Sequence, residues 1–124
     1  MEHRSFTDLE IWKRGRELRK DVFMLSKTFP KEEKYDLVSQ IVRSSRSVCA
    51  NIAEGHGRFH FQENIQFCRV ARGSVSETLD HVTCAFDCGY IDENTLTGYK
   101  ERIEELTRMI NGYINYLKRM KKGE

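Results

Sequence analysis

Apolar residues recur at steps of three and four along nearly the whole chain, the period of a helix with one buried stripe. Ile11, Gly15, Leu18, Val22, Leu25 and Phe29 form the first stripe and predict a helix from about Thr7 to Thr28. Thr7 or Asp8 is placed to cap its start. Phe29-Pro30 stops it, because the residue before proline is pushed out of the α region. A second helix is expected directly after Pro30, where Lys31, Glu32 and Glu33 put acidic groups at the positive end of a helix dipole. Its stripe is Leu37, Val38, Ile41, Val42, Ser45, Val48, Cys49 and Ile52. Gly55-His56-Gly57 ends it, since glycine reaches positive φ at little cost. The third helix, about Phe61 to Cys88, carries Ile65, Cys68, Ala71, Val75, Leu79, Val82 and Phe86, and Gly89 closes it. The fourth starts near Asp92 or Thr95, reaches about Lys121, and carries Leu96, Tyr99, Ile103, Leu106, Ile110, Tyr113, Ile114 and Leu117.

Nowhere does the pattern alternate as a strand does, so the fold class is all-α. Long helices with short connections are antiparallel neighbours. The expected architecture is an antiparallel, up-down-up-down four-helix bundle formed by residues 1–124 as a single domain. A helix-turn-helix reading of the Gly-containing turn fits less well, because the helices of that motif are much shorter. Two helices carry apolar residues beyond one stripe. Phe67, Val70, Ser74, His81, Ala85 and Cys88 share a second face on helix 3. Leu9, Trp12 and Phe23 do so on helix 1, with Arg16 and Arg19 among them. A monomeric bundle needs one buried stripe per helix, so the extra faces point to a homo-oligomer, unless a wide stripe simply wraps the core.

Composition narrows the class further. Of 124 residues, 39% are apolar and 32% charged, and there is a single proline. That suits a helical core and argues against a disordered chain. No apolar run approaches the ~18 residues of a membrane span, so a membrane protein is not expected. The start, MEHRSFTDLEIW, has no apolar stretch of the secretory kind. The four cysteines, without a secretory signal or a CxxC, read as thiols in a reducing cytoplasm.

Catalytic and metal patterns are sparse. Helical bundles of the ferritin type hold two metals through Glu-x-x-His motifs. No Glu here has His three residues on, and His60-x-x-Glu63 has the reverse order. His81, Cys84 and Cys88 share one helix face and would offer three zinc ligands, but a fourth must come from elsewhere. An interface or core histidine beside two small cysteines is the plainer reading. A serine or cysteine nucleophile needs an oriented base, and no such pairing stands out. His56 and His60 flank a turn, while Glu101, Glu104 and Glu105 read as a solvated face. The expectation is a protein without catalytic residues, cofactor or metal.

Basic residues say more, although Lys+Arg 21 against Asp+Glu 19 gives a net charge of only +2. Lys13, Arg14, Arg16, Arg19 and Lys20 fall in one stretch against Glu17 alone. Arg43, Arg46, Arg58, Arg69 and Arg72 flank the hairpin between helices 2 and 3, and Lys118, Arg119, Lys121 and Lys122 lie near the end. Such clusters can track phosphates, with Trp12 or Phe59 as stacking surfaces. Ordinary solvated helix faces with i,i+4 ion pairs are the competing reading. Ser47, Asn51 and Glu54 form a polar strip on helix 2, Ser74 and Glu77 offer another such pair on helix 3, and they suggest a polar network rather than a reactive site.

The run Ser47-Val48-Cys49-Ala50-Asn51-Ile52-Ala53-Glu54-Gly55 reads S-V-x-x-N-I-A-E-G. Arg58, Glu63, Phe67, Ala71-Arg72-Gly73-Ser74 and Glu77 follow it; Leu9-x-x-Trp12, Phe29-Pro30 and Gln40 precede it; Gly89-Tyr90-Ile91 lies beyond. Over nearly its whole length the chain thus resembles the four-helix-bundle family of 23S rRNA intervening-sequence proteins. Members are encoded within intervening sequences of bacterial 23S rRNA genes or elsewhere in bacterial genomes, and their activity is not established. The resemblance implies a homopentamer with a central channel. It extends to the accessory proteins of diversity-generating retroelements, basic pentamers that bind nucleic acid and a reverse transcriptase. It marks Ser47, Asn51, Glu54, Gly55, Arg58, Ser74 and Glu77 as family-motif positions without assigned chemistry. The family usually ends the hairpin turn with a polar, basic stretch and a capping Ser; here Phe59-His60-Phe61 stands there, with His60 in the serine's place. The function expected is a non-enzymatic homo-oligomer that engages RNA, DNA or a nucleoprotein partner, reverse-transcriptase-like or ribosomal. A protein-interaction scaffold is the alternative, and a metal-dependent enzyme a distant third.

Overall fold

A computed structural model of the chain describes residues 5–123; residues 1–4 and Glu124, the ends of the 1–124 domain read from the sequence, lie outside them. Four helices follow one another: α1 (Glu10–Ser26), α2 (Leu37–His56), α3 (Phe61–Asp87) and α4 (Glu93–Lys122). No strand occurs among the described residues. Pairings between helices run in opposite senses. Ser44 of α2 meets Thr78 of α3, while Ser47 meets Ser74. Arg72 of α3 reaches Asn111 of α4, and Gln62 reaches Lys121. Arg14 and Asp21 of α1 pair with Glu105 and Arg102 of α4. The four helices therefore alternate in direction around one core.

That core joins Val22, Ile41, Val48, Ile52, Ile65, Val75, Val82, Ile103, Ile110 and Leu117, all at most 1–2% exposed. Each such side chain contributes about 1.5–3 kcal/mol when removed from water. The helix stripes read from the sequence supply most of these residues.

Helix boundaries depart from the expected ones for local reasons. Neither Thr7 nor Asp8 caps α1; both lie in a 3-10 turn, Phe6–Asp8, which Ser5 caps by accepting from the Thr7 amide at 3.2 Å. Leu9 then stands at the start of α1 without a side-chain cap. α2 does not begin after Pro30. Lys31–Glu33 form another 3-10 turn, and Glu33 Oε1 receives the amide of Leu37 at 3.4 Å. The other Glu33 oxygen accepts from the Tyr90 hydroxyl at 2.7 Å, tying this connection to the α3–α4 turn.

The glycines divide by role. Gly89 has φ +79° and ends α3, with the Tyr90 amide reaching back to the Ala85 carbonyl at 2.9 Å. Gly55 and Gly57 have no positive φ, contrary to the turn reading. Gly55 is instead a buried packing residue of α2: a Cβ there would stand 2.7 Å from Asn64 Oδ1 and 2.9 Å from Phe67 Cβ. The glycine lets α2 and α3 approach where they leave their hairpin.

The second apolar faces are partly internal. Leu9, Ser74, His81 and Ala85 are buried within the one chain. α3 packs on α2 and α4 at once, so its buried arc is wider than one stripe. What remains outside is Phe23 (38% exposed), Val70 (53%) and Cys88, with Trp12 and Phe67 half-buried.

Candidate nucleic-acid interface

The basic residues of α1 fall into two groups because successive side chains diverge by about 100° around a helix. Arg14 turns to α4, where its Nη1 lies 3.3 Å from Glu105. Lys13 pairs along its own helix with Glu10 at 3.6 Å. Arg16 and Arg19 turn to the α2 side and lay their guanidinium groups over the Trp12 ring, at 5.8 and 5.6 Å from its centroid. Phe6 meets the same ring edge-on at 5.3 Å. From α2, Arg46 covers Phe23 at 5.6 Å. Cations held over aromatic faces at these distances are attracted by the ring quadrupole. A surface depression of about 560 Å³ between the two helices is lined by Phe6, Trp12, Arg19, Arg46, Cys49 and Ala50, among others. Beside it, Trp12, Lys13, Arg16 and Lys20 line a second.

Cations outnumber the one carboxylate, Glu17, that lines these two depressions. Among the described residues, Arg16, Arg19, Lys20 and Arg46 have no carboxylate within 4.0 Å. Cys49 lies beneath, its thiol donating to the Trp12 carbonyl at 3.5 Å. Burial pushes that thiol's pKa up, outweighing the opposing pull of Arg19 and Arg16, so it stays protonated at neutral pH.

The cluster expected around the α2–α3 hairpin does not form one surface. Arg43 bonds to Ser39 at 3.2 Å on its own helix. Arg58 is held by Glu54 at 2.8 Å and Glu63 at 3.5 Å. Arg72 donates to Asn111 of α4 at 2.7 Å, and Arg69 is half-buried on α3. Lys118, Arg119, Lys121 and Lys122 are exposed at the end of α4, where Lys121 bonds to Gln62. His60 stands before α3 without making a side-chain cap.

The polar strip becomes a ladder between α2 and α3, with different members. Asn51 Nδ2 donates to the Ser47 carbonyl at 2.8 Å and to its hydroxyl at 2.9 Å. Ser47 also accepts from Ser74 at 2.9 Å. Two residues without a sequence signal of their own continue it: Thr78, bonded to the Ser74 carbonyl, and Ser44, 2.9 Å from Thr78. Glu54 and Glu77 stand outside the ladder. Glu54 binds Arg58 in solvent, and Glu77 lies 3.2 Å from Nε2 of the buried His81. His81 thus faces a carboxylate, while Cys84 and Cys88 are exposed. Among the described residues, no three His, Cys, Asp or Glu side chains gather as a metal site would require, and no helix is long and apolar enough to cross a membrane.

A comparison with curated proteins finds no match. Among solved structures, the fold matches a crystal structure from Bacteroides thetaiotaomicron, described as a protein of unknown function from the S23 ribosomal protein family. The TM-score is 0.78 at 21% identity, over 85% of this chain and 95% of that one. At that identity the likeness speaks to the four-helix fold alone. The family model for the 23S rRNA-intervening sequence protein matches residues 7–112, and the chain belongs to that family.

Proposed function

We propose that the protein is a non-enzymatic, homo-oligomeric bundle that binds RNA through the α1–α2 face. The observation that carries this reading is the set of unpaired guanidinium groups on Arg16, Arg19 and Arg46, held over Trp12 and Phe23. Cations fixed beside aromatic rings offer a phosphate contact and a stacking surface at one place, the combination used to hold single strands without strict sequence preference. Repetition around a symmetric assembly multiplies a face that the net charge of +2 conceals. Binding is then weak per subunit, sequence-tolerant and steeply salt-dependent, because phosphate contacts position rather than specify.

The test is fluorescence anisotropy with a structured RNA and a duplex DNA at two salt concentrations. Arg16→Glu combined with Arg46→Glu should weaken binding across all sequences alike. Replacing Arg14, which turns to α4 and is already paired with Glu105, by Gln should change it far less. No binding at low salt by a correctly assembled protein would favour a protein-interaction scaffold instead.

A further inference from the structure

A separate concavity lies at the end of the bundle where α2 turns into α3. It measures about 460 Å³ and opens between that turn and the C-terminal part of α4. This is the size of a small-molecule site. None of Trp12, Arg16, Arg19 or Arg46 lines it. Its walls are aromatic. Tyr113 and Tyr116 stack at 5.9 Å with their planes 22° apart, and Phe59 is 99% exposed at the tip of the turn. Its edges are polar. His56 and His60 stand on either side of the turn with Arg58 between them, and the buried Asn64, whose Oδ1 accepts from the Cys68 thiol at 3.6 Å, also lines the cavity.

We propose that this cavity receives one unpaired nucleobase of a single-stranded nucleic acid. Flat rings beside ring nitrogens and an amide suit a planar heteroaromatic group with hydrogen-bonding edges. The two imidazoles and the Asn64 amide give the lining hydrogen-bonding groups for the edges of such a ring, which a purely apolar side chain would not use. Phe59 and Tyr116 have ring surface open to solvent, so a base can stack on them without rearrangement of the core. The chain that follows the base finds cations nearby, since Lys118, Arg119 and Lys121 are exposed on the same end of α4. The proposal rests on the RNA reading, and adds where a base would be held.

Nuclear magnetic resonance titration with adenosine 5′-monophosphate tests it, with ribose 5-phosphate as the control that lacks a base. The mononucleotide should shift the signals of Phe59, Tyr113 and Tyr116 saturably, and ribose 5-phosphate should not. Phe59→Ala, at a fully exposed position, and Tyr116→Ala should each weaken the mononucleotide by about tenfold, the scale of one lost base–aromatic stack. No shift at these rings, or equal shifts with ribose 5-phosphate, would overturn the proposal. RNA titrated in parallel separates the two readings. RNA bound while the mononucleotide ignores the cavity overturns the base site alone. A mononucleotide in the cavity with no RNA bound at low salt sustains the base site and overturns the RNA reading.

Discussion

The Ser74 hydroxyl donates to the Ser47 hydroxyl at 2.9 Å, joining α3 to α2 through two side chains small enough to keep the helices close. Ser47 also accepts from Asn51, so one hydroxyl oxygen serves two donors. Replacing Ser47 by Ala leaves the Ser74 hydroxyl without this acceptor and Asn51 with the Ser47 carbonyl alone, in a half-buried seam. The expected loss is about 1–3 kcal/mol, or a fall in melting temperature of several degrees at about 4 °C per kcal/mol. The double variant with Ser74→Ala should lose less than the sum of the singles, because the second change removes an orphaned donor. Strict additivity in thermal melts would mean that the ladder is not a coupled unit.

At the hairpin end of the same seam, Gly55→Ala places a methyl group 2.7 Å from Asn64 Oδ1 and 2.9 Å from Phe67 Cβ. One partner belongs to the packed base of α3, so the helices must separate, at about 1–3 kcal/mol for overpacking. Gly73→Ala is the matched control, with nothing within 4 Å of its added Cβ. In the isolated chain it should stabilise α3 by up to about 1 kcal/mol through helix propensity. Urea unfolding of the two variants gives opposite signs if Gly55 is a packing glycine and Gly73 an open one.

Gly55 also shows how far the sequence could be read. The dipeptide spacing around His56 signals a break, and a glycine that permits positive φ looks the same in sequence as one that permits a close approach. Only the position of α3 tells them apart. The four stripes were legible because each helix buries a continuous line of Ile, Val and Leu. Ser74, His81 and Ala85 were misplaced on an outer face because one helix wheel does not reveal that α3 has two packed neighbours. The pairing of Trp12 with Arg16 and Arg19 was visible as spacing on one helix. Its complement from α2, Arg46 over Phe23, was not. Glu54 fits the strip by spacing, yet the cation one turn on, Arg58, draws it into solvent. The cavity joins Phe59 to Tyr116 across the chain, beyond the reach of any local pattern.

The link from Tyr90 to Glu33 makes a prediction in alkali. A carboxylate that accepts from the phenol stabilises its neutral form, and this hydrogen bond is the main reason the Tyr90 pKa rises from its ordinary value of 10.0 to about 12. A folded pKa above the unfolded one favours folding while the phenol is protonated. The contribution is therefore complete below pH 10 and lost as the pH rises through about 12. Tyr90→Phe should remove that contribution at neutral pH and, with it, that part of the alkaline dependence. Ultraviolet titration of tyrosinate, wild type against variant, should show one late-ionising phenol disappear. Loss of a phenol that ionises near the ordinary value of 10.0 instead would place the Tyr90 hydroxyl in free solvent.

Assembly is the last expectation, and it concerns surface that the single chain leaves open. Val70 is 53% exposed on α3 and Met24 60% on α1. Apolar groups on two helix faces lose contact with water only if another surface covers them. The proposed homo-oligomer supplies that cover, with five subunits on the family resemblance. Light scattering should then return a multiple of the chain's 14.6 kDa at micromolar concentration. Val70→Glu puts a charge where a neighbour would pack, while an exposed helix surface tolerates glutamate well in the isolated chain. The variant should keep its helical circular dichroism and fall to a lower mass. Wild-type protein that scatters as a single chain would remove the assembly, and with it the multiplication of charge on which tight RNA binding depends.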